Sequence, residues 1–488
     1  MFINLAAMPL KAYISEPFPW TPRESAAYLD GCPTNVTECA PRVLAHFKNI
    51  SQTLSETAPH ATDGTFDLYR LPFPLVPSEG ADPHAFLLHM PYAIFFTPRE
   101  RELTYALLAH SVNLSAINSV QVTSFFGVPI SFAVSWAEPS TSSNIMFIGY
   151  IVAPSSREWV AIKFLYRCVL SIYIVRCMWF DYYRCGRNLG HSVAQYGVPD
   201  AAAGPVEILL GDPTSVILLN PFVSLAFLLD VWFSVEYVNR AIVRADQLYE
   251  LVTFAVACVY LSRTLWFAYG ALNAASWTLK QLQWTRHFRD ADPTLLAIVI
   301  TLAAGPITYA QSQSLYFIDC YYALFRVFAS GPDNNDVTLN VLLYTVLLGL
   351  LPVVTGFAPT PRRCSSGAPP SSYRANNIKH RWATYLCLYS WRHLPVGHPR
   401  GGTVYDLFTR DPGYKRNVGM SLRGADCYIL YGPVEKRSCV RVSLITSIDP
   451  HRRVLILQAK NAAFGHLRLS SDQTPTIVQG ADDSPWIM

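Results

Sequence analysis

Along this 488-residue chain, charged positions thin out in the middle third and return on both sides of it. Between Asp292 and Asp319 lie 26 residues without a charge, and between Asp336 and Arg362 lie 25. Each run exceeds the roughly 20 apolar residues that a membrane-spanning helix needs, so spans are predicted at 293–311 and 337–357. Two more apolar segments, 214–235 and 248–272, contain Asp230 and Arg263. A fifth, 160–180, is interrupted by Lys163, Arg167 and Arg176. Charges near helix ends can snorkel to the interface, and 160–180 is read as the first span, with an amphipathic helix lying on the bilayer as the alternative. The pattern is that of a multi-span α-helical membrane protein with about five transmembrane helices.

Polar punctuation divides these runs. The connection 181–213 is rich in Gly and Pro and reads as a loop with one short structured piece. Within the fourth span, Ala303-Ala304-Gly305-Pro306 combines small residues, which admit a neighbouring helix, with a proline that predicts a kink. After Gln311-Ser312-Gln313-Ser314 comes an apolar piece, Leu315 to Phe328. As a helix it covers only ~21 Å, too short for a comfortable crossing, so 312–328 is expected to be re-entrant or interfacial.

The flanks have a different texture. Residues 1–159 read as an α/β head. Thr21-Pro22-Arg23-Glu24 and Thr97-Pro98-Arg99-Glu100 share a capping-box start, predicting helices at about 22–30 and 98–112, and a third is expected from Pro41 to Leu54. Segments 66–76, 119–126, 130–136 and 144–152, rich in β-branched and aromatic residues, predict strands. Beyond the last span, 358–401 reads as a linker followed by a basic juxtamembrane helix at 378–392, either lying on anionic lipid or opening the tail domain. Short runs at 427–431, 440–445 and 453–458 predict a small β-rich domain over 402–488. With this element order, the stretch KRNVGMSLRGADCYILY at 415–431 resembles a group of uncharacterised multi-span membrane proteins of oomycetes. The resemblance implies a lineage and carries no activity, ligand or catalytic residue.

Charge and composition then suggest sidedness. The chain is 51% hydrophobic and only 15% charged, below the roughly 25% of an average soluble protein, so lipid is an expected partner. Residues 1–159 hold 8 Lys/Arg against 13 Asp/Glu, whereas 358–488 hold 18 against 8. An acidic head outside and a basic tail in the cytoplasm follow the positive-inside bias, with anionic lipid or a cytoplasmic protein as the tail's expected partner. The three N-x-S/T sequons, at Asn35, Asn49 and Asn113, all fall in the head and mark a glycosylated lumenal or extracellular face, chance occurrence being the alternative. Cys32 and Cys39 are expected to bridge in an oxidising compartment, or to be two unrelated thiols in a cytosolic head. The start MFINLAAMPLK lacks the basic n-region of a secretory signal. An exoplasmic head then requires translocation by the first span or by an upstream segment.

Chemistry is sparse. No hydrolase elbow, zinc-protease, phosphate-loop, dinucleotide or kinase motif occurs, and no C-x-x-C. The chain is therefore expected not to be an enzyme, with no cofactor, no metal and no nucleic-acid partner. Asp230 and Arg263 lie at depths about 15 Å apart if their spans are straight and antiparallel, which predicts snorkelling to opposite interfaces rather than a pair. One constellation remains, Gly305, Pro306, Gln311, Gln313 and Asp319, as a possible intramembrane polar site of the broken-helix type, or else a kink followed by a polar hairpin. Two functions are carried forward. The first is a plasma-membrane or endomembrane binding or scaffold protein whose head meets an extracellular or lumenal ligand. The second is an ion or small-solute channel or transporter using the 305–319 site.

Overall fold

The β-branched stretches of the head pair as their alternation predicts. The computed structural model describes residues 2–21, 26–29, 31–32, 36–53, 60–62, 64–74, 87–88, 93–108, 118–141, 144–196, 206–209, 217–218, 220–246, 250–282, 284, 293–331 and 334–357, with strand segments between 427 and 477. Strands β1 (His60–Thr62), β2 (Phe66–Pro74), β3 (Asn118–Phe125), β4 (Val128–Thr141), β5 (Asn144–Val152) and β6 (Asn334–Asp336) form one sheet in the order β1-β2-β5-β4-β3-β6. The first five pair antiparallel; β6 joins parallel to β3, with Val122 opposite Asn334 and Ser124 opposite Asp336. The sheet's edge strand therefore comes from a segment more than 200 residues downstream, just ahead of the last apolar run.

Thirteen α-helices among the described residues complete the frame. These are α1 (Phe2–Ala6), α2 (Val36–Thr53), α3 (Pro98–Leu108), α4 (Arg157–Cys177), α5 (Arg184–Tyr196), α6 (Pro221–Trp232), α7 (Val235–Asp246), α8 (Leu251–Leu261), α9 (Leu265–Leu282), α10 (Pro293–Leu302), α11 (Thr308–Ser312), α12 (Leu315–Arg326) and α13 (Thr338–Phe357). Successive side chains on a strand point to opposite faces, and both faces of the sheet are covered. On one, Leu68, Val122, Val134, Trp136 and Tyr150 pack against Val43 and Phe47 of α2. On the other, Tyr69, Phe147 and Ile151 share a core with Val235 and Val243 of α7 and Ile318 and Phe325 of α12. The helical body is thus one layer of the head's own core.

Local chemistry sets several helix starts. Thr97 and Glu100 close the capping box that opens α3, the Thr97 N–H donating to Glu100 Oε2 at 2.8 Å and the Glu100 N–H to Thr97 Oγ1 at 3.3 Å. Ser156 caps α4 by accepting from the Trp159 N–H at 3.1 Å, and Asn220 caps α6, with Pro221 in its first turn. At 26–29 there is a single 3-10 turn in place of the expected helix, and the 184–196 part of the expected loop is helical. The strand at 207–209 from the same connection pairs with 427–431 of the tail, which in turn pairs with 438–442.

Two helical stretches, Leu251–Leu279 and Thr338–Phe357, are long and apolar enough to cross a membrane. The pair α6 and α7 is a third if it counts as one span, but it bends by 71° at its break. The 293–311 run forms α10 and α11 joined by a π-turn over Ala303–Ile307 that holds Pro306. At Gly305 an added Cβ would lie 2.1 Å from Cys258 Sγ and 2.8 Å from Cys258 Cβ, so the glycine is what lets this break press against α8.

Candidate functional site

Four of the charges that interrupt the apolar runs, Lys163, Arg167, Asp230 and Arg263, are gathered with acidic partners from elsewhere into one network, whereas Arg176 is exposed. Lys163 and Arg167 stand four residues apart on α4 and so share a face. That face looks inward. Arg167 donates through Nη1 and Nη2 to the two carboxylate oxygens of Glu16 at 2.8 and 2.9 Å, and through Nε to Asp230 Oδ1 at 2.8 Å. Lys163 donates to Glu236 Oε1 at 2.6 Å, and Arg263 to Glu16 Oε1 at 2.9 Å. Arg263 also donates to Asp230, and Tyr260 OH to Glu16 Oε1 at 2.6 Å. Three carboxylates meet three cations, all buried except Arg263, whose side chain is 12% exposed, so the network is neutral overall. Burial alone pushes the Glu16 carboxyl up, but the adjoining charges of Arg167, Lys163 and Arg263 outweigh it and hold the group well below the ordinary carboxylate range.

Asp230 and Arg263 therefore form a direct contact, contrary to the depth argument. That argument assumed a common outer plane for straight helices. In the structure α6 stops at Trp232 and turns into α7, whereas the residue ahead of α8, Glu250, reaches up to His60 on β1 at 3.6 Å. The two helices end at different levels, which brings residue 263 to the level of residue 230. The N-terminal segment, which the sequence groups with the head, supplies Glu16 and lies among the helices, Leu5 sharing a core with Leu170 and Ile174 of α4 and Trp266 of α9.

A second ionic knot fixes the sheet to α7. Arg240 and Arg244, again four residues apart, both clasp Asp67 of β2. Arg240 Nε lies 2.6 Å from Asp67 Oδ2, and Arg244 Nε and Nη2 lie 2.8 Å from Oδ2 and Oδ1. Arg240 also donates to the Gly64 and Phe66 carbonyls at 3.0 and 2.9 Å. Burial raises the Asp67 carboxyl, and Arg240, His60 and Arg244 reverse the shift and hold it well below its ordinary value.

The 305–319 constellation is split. Asp319 lies on the outer side of α12, its side chain 65% exposed, and pairs with Arg101 of α3. Gln313 instead approaches the end of α7, and Gln311 meets tyrosines of α12 and α13. Gln313 Nε2 and Ser312 Oγ donate to the Asp246 carbonyl at 3.4 and 2.8 Å, while Gln311 Oε1 accepts from Tyr321 OH at 2.7 Å and Tyr344 OH at 2.9 Å. The carboxylate of Asp246 is 2% exposed as a residue, and neither of its oxygens has a hydrogen-bond partner among the described residues. The one charge of the constellation, Asp319, thus pairs with Arg101 on α3.

Of the remaining candidates, Cys32 and Cys39 form a disulfide, and Asn49 is exposed on α2. Asn35, Asn113, the juxtamembrane helix at 378–392 and most of the 415–431 stretch lie outside the described residues. Among the described residues no group of three metal-ligating side chains converges. Sequence reasoning passed over Glu16, Asp67, Glu236, Arg240, Arg244 and Asp246. One signal was present for the cations: both Lys163/Arg167 and Arg240/Arg244 repeat at four-residue spacing, which places like charges on one helix face and implies a shared anionic partner.

No family model, curated protein or solved structure matches the chain. The class rests on its own fold and site: a mostly helical protein with two, or with the bent pair three, helices able to cross a membrane, and a mixed sheet seated on them.

Proposed function

We propose that the protein is a membrane-embedded binding or scaffold protein of the cell surface or secretory pathway, with a glycosylated head outside or in the lumen and a basic tail in the cytoplasm. The carrying observation is the neutral Glu16–Lys163–Arg167–Asp230–Glu236–Arg263 network. Every charge in it has a protein partner, so it fastens the N-terminal segment to four helices and leaves no unfilled charge for a passing ion. Buried ion pairs of this kind favour one specific arrangement over others. That is the property a display scaffold needs.

Five crossings are supported by the outward faces of the helices. On α4, Ile162, Leu165, Val169 and Ile172 are exposed while Lys163 and Arg167 are buried. This inside-out pattern matches a helix whose solvent is lipid and whose charges face the bundle. Exposed Val346, Leu347, Leu350 and Val354 give α13 the same character. The head adjoins one end of the helices and the 207–209 strand, with its tail partner 427–431, belongs to the connection that follows α4 and α5, as expected if head and tail lie on opposite sides.

The test is reconstitution of the full chain into sealed vesicles. A scaffold predicts no flux of common ions and solutes above that of protein-free vesicles. The second reading, a channel or transporter, is favoured by the break at Gly305 and Pro306, and saturable flux would put it first.

A further inference from the structure

We infer that Asp246 is a proton-binding site, and that the protein carries its carboxyl neutral near neutral pH. The inference goes beyond the scaffold reading and does not depend on it, because binding a proton requires no translocation. It starts from the contrast between Asp246 and the other buried carboxylates. Glu16, Asp67, Asp230 and Glu236 each receive at least one Arg or Lys within hydrogen-bond distance, and Asp336 accepts the Gly127 and Thr338 N–H groups, whereas both carboxylate oxygens of Asp246 are buried without a partner among the described residues. An ionised carboxylate in that setting is strongly disfavoured, and proteins answer by neutralising the group.

The surroundings say which positive species does so. Arg244 lies two residues back on α7, roughly 200° around the helix, where its guanidinium is spent on Asp67 and Ser15; Arg240 is likewise held by Asp67. The groups that face Asp246 from the packed elements are hydroxyls. Tyr69 of β2, Tyr321 of α12 and Tyr344 of α13 all lie within electrostatic reach of its carboxyl. Cys320 of α12 is the neighbour of Tyr321, and α11 presents the neutral Gln311 and Ser312. None of these is a cation.

An alkali ion would need a shell of several oxygens, and the nearby ones are engaged. Gln311 Oε1 accepts from both tyrosines, and the Asp246 carbonyl already accepts from Ser312 and Gln313. A proton needs one oxygen only. Near Asp246, but not hydrogen-bonded to its carboxylate, Tyr321 OH, Tyr344 OH and Gln311 Oε1 stand 2.5 to 2.9 Å from one another. Three contacts among these oxygens share two hydroxyl hydrogens, so one contact is always short of a hydrogen and the pair can re-orient around it.

The experiment uses the full chain in lipid nanodiscs. Infrared titration is expected to show the carbonyl stretch of a protonated carboxyl at neutral pH. The band should disappear in Asp246→Asn and move in frequency in Asp246→Glu. In parallel, wild-type thermal stability should fall as pH is raised through neutrality, because the folded state binds a proton that the unfolded state has released. Asp246→Asn, which mimics the neutral form, should lack that fall. Failure to find a band that depends on Asp246 would overturn the inference. So would a wild-type melting temperature raised by NaCl or KCl at fixed pH and ionic strength, since the ligand would then be an alkali cation. Should Asp246→Asn melt far below wild type at every pH, the carboxylate is ionised and partnered, and the site is not a proton site.

Discussion

Glu16 occupies the centre of the charge network, touching Arg167, Arg263 and Tyr260 and lying 3.5 Å from Lys163. Removing one partner from a buried ion pair costs about 3–5 kcal/mol, because the other charge is left uncompensated. Glu16→Gln is therefore expected to lower stability by about that amount in a denaturation series on the micelle-bound protein. The Asp319–Arg101 pair provides the contrast, since its carboxylate is 65% exposed and open to water, and Asp319→Asn should cost no more than about 1 kcal/mol. A pH titration of tertiary structure carries the sign of the same effect. Both Glu16 and Asp67 have depressed values in the folded state, so their stabilisation is fully present above the ordinary carboxylate range and is lost only as pH falls through the depressed values. Acid unfolding should begin below about pH 4, where unperturbed carboxylates protonate. In Glu16→Gln part of that acid dependence should be missing.

The break at 303–307 shows how far helix-level features could be read in advance. Proline and the small residues announced a kink and a close neighbour; the structure has a π-turn at that point and the close neighbour, because a missing backbone donor and a missing side chain act locally. The neighbour's identity, Cys258 on α8, depends on which helices pack together and is written nowhere in the local pattern. Gly305→Ala places a Cβ against Cys258 and should cost about 1–3 kcal/mol, the range for overpacking a filled interior. Cys258→Gly should recover part of that loss in a double-mutant cycle; independent, additive losses would mean the two helices do not meet here. The same division runs through the rest of the fold. The capping box at Thr97 and the strands at 66–74 and 144–152 were legible from residue type and alternation. Strand β6 was not, since Asn334–Asp336 has no β-branched or apolar residue and becomes a strand only by lying beside β3. The Asp230–Arg263 contact was illegible for a similar reason: its depth is set by where α6 turns and how far α8 rises. Asp246 was hidden in an ordinary amphipathic segment, and only its neighbours from α11, α12 and α13 make it unusual.

At the scale of the whole molecule, the proposed topology turns on whether the chain crosses the membrane an odd or an even number of times, and α12 bears on it. A helix at 315–326 that crossed would carry its far end away from the head. Instead, Ser312 at its approach bonds to the Asp246 carbonyl, Phe325 at its far end stacks on Phe95 at 5.4 Å, and Asn334–Asp336 joins the head's sheet. Both ends of α12 are thus tied to elements of the head or to α7, which is what the proposed five-span arrangement, with α12 returning and the tail opposite the head, requires. The positive charges agree. With the tail inside, Arg184, Arg187, Lys280, Arg286, Arg289, Arg362, Arg363 and Arg374 face the cytoplasm, against Arg157, Arg240, Arg244 and Arg326 outside. A C-terminal tag should therefore resist protease in sealed right-side-out vesicles and be removed in inverted ones. In the same preparation, glycosidase should reduce the mass of protein made in a glycosylating cell, and replacing Asn35, Asn49 and Asn113 by Gln should abolish the shift. A tag cleaved in right-side-out vesicles would place head and tail on one side and require an even number of crossings. Because α12 is pinned at both ends, the helix to re-examine would then be α4, the one whose buried Lys163 and Arg167 tie it most tightly to the head side of the bundle.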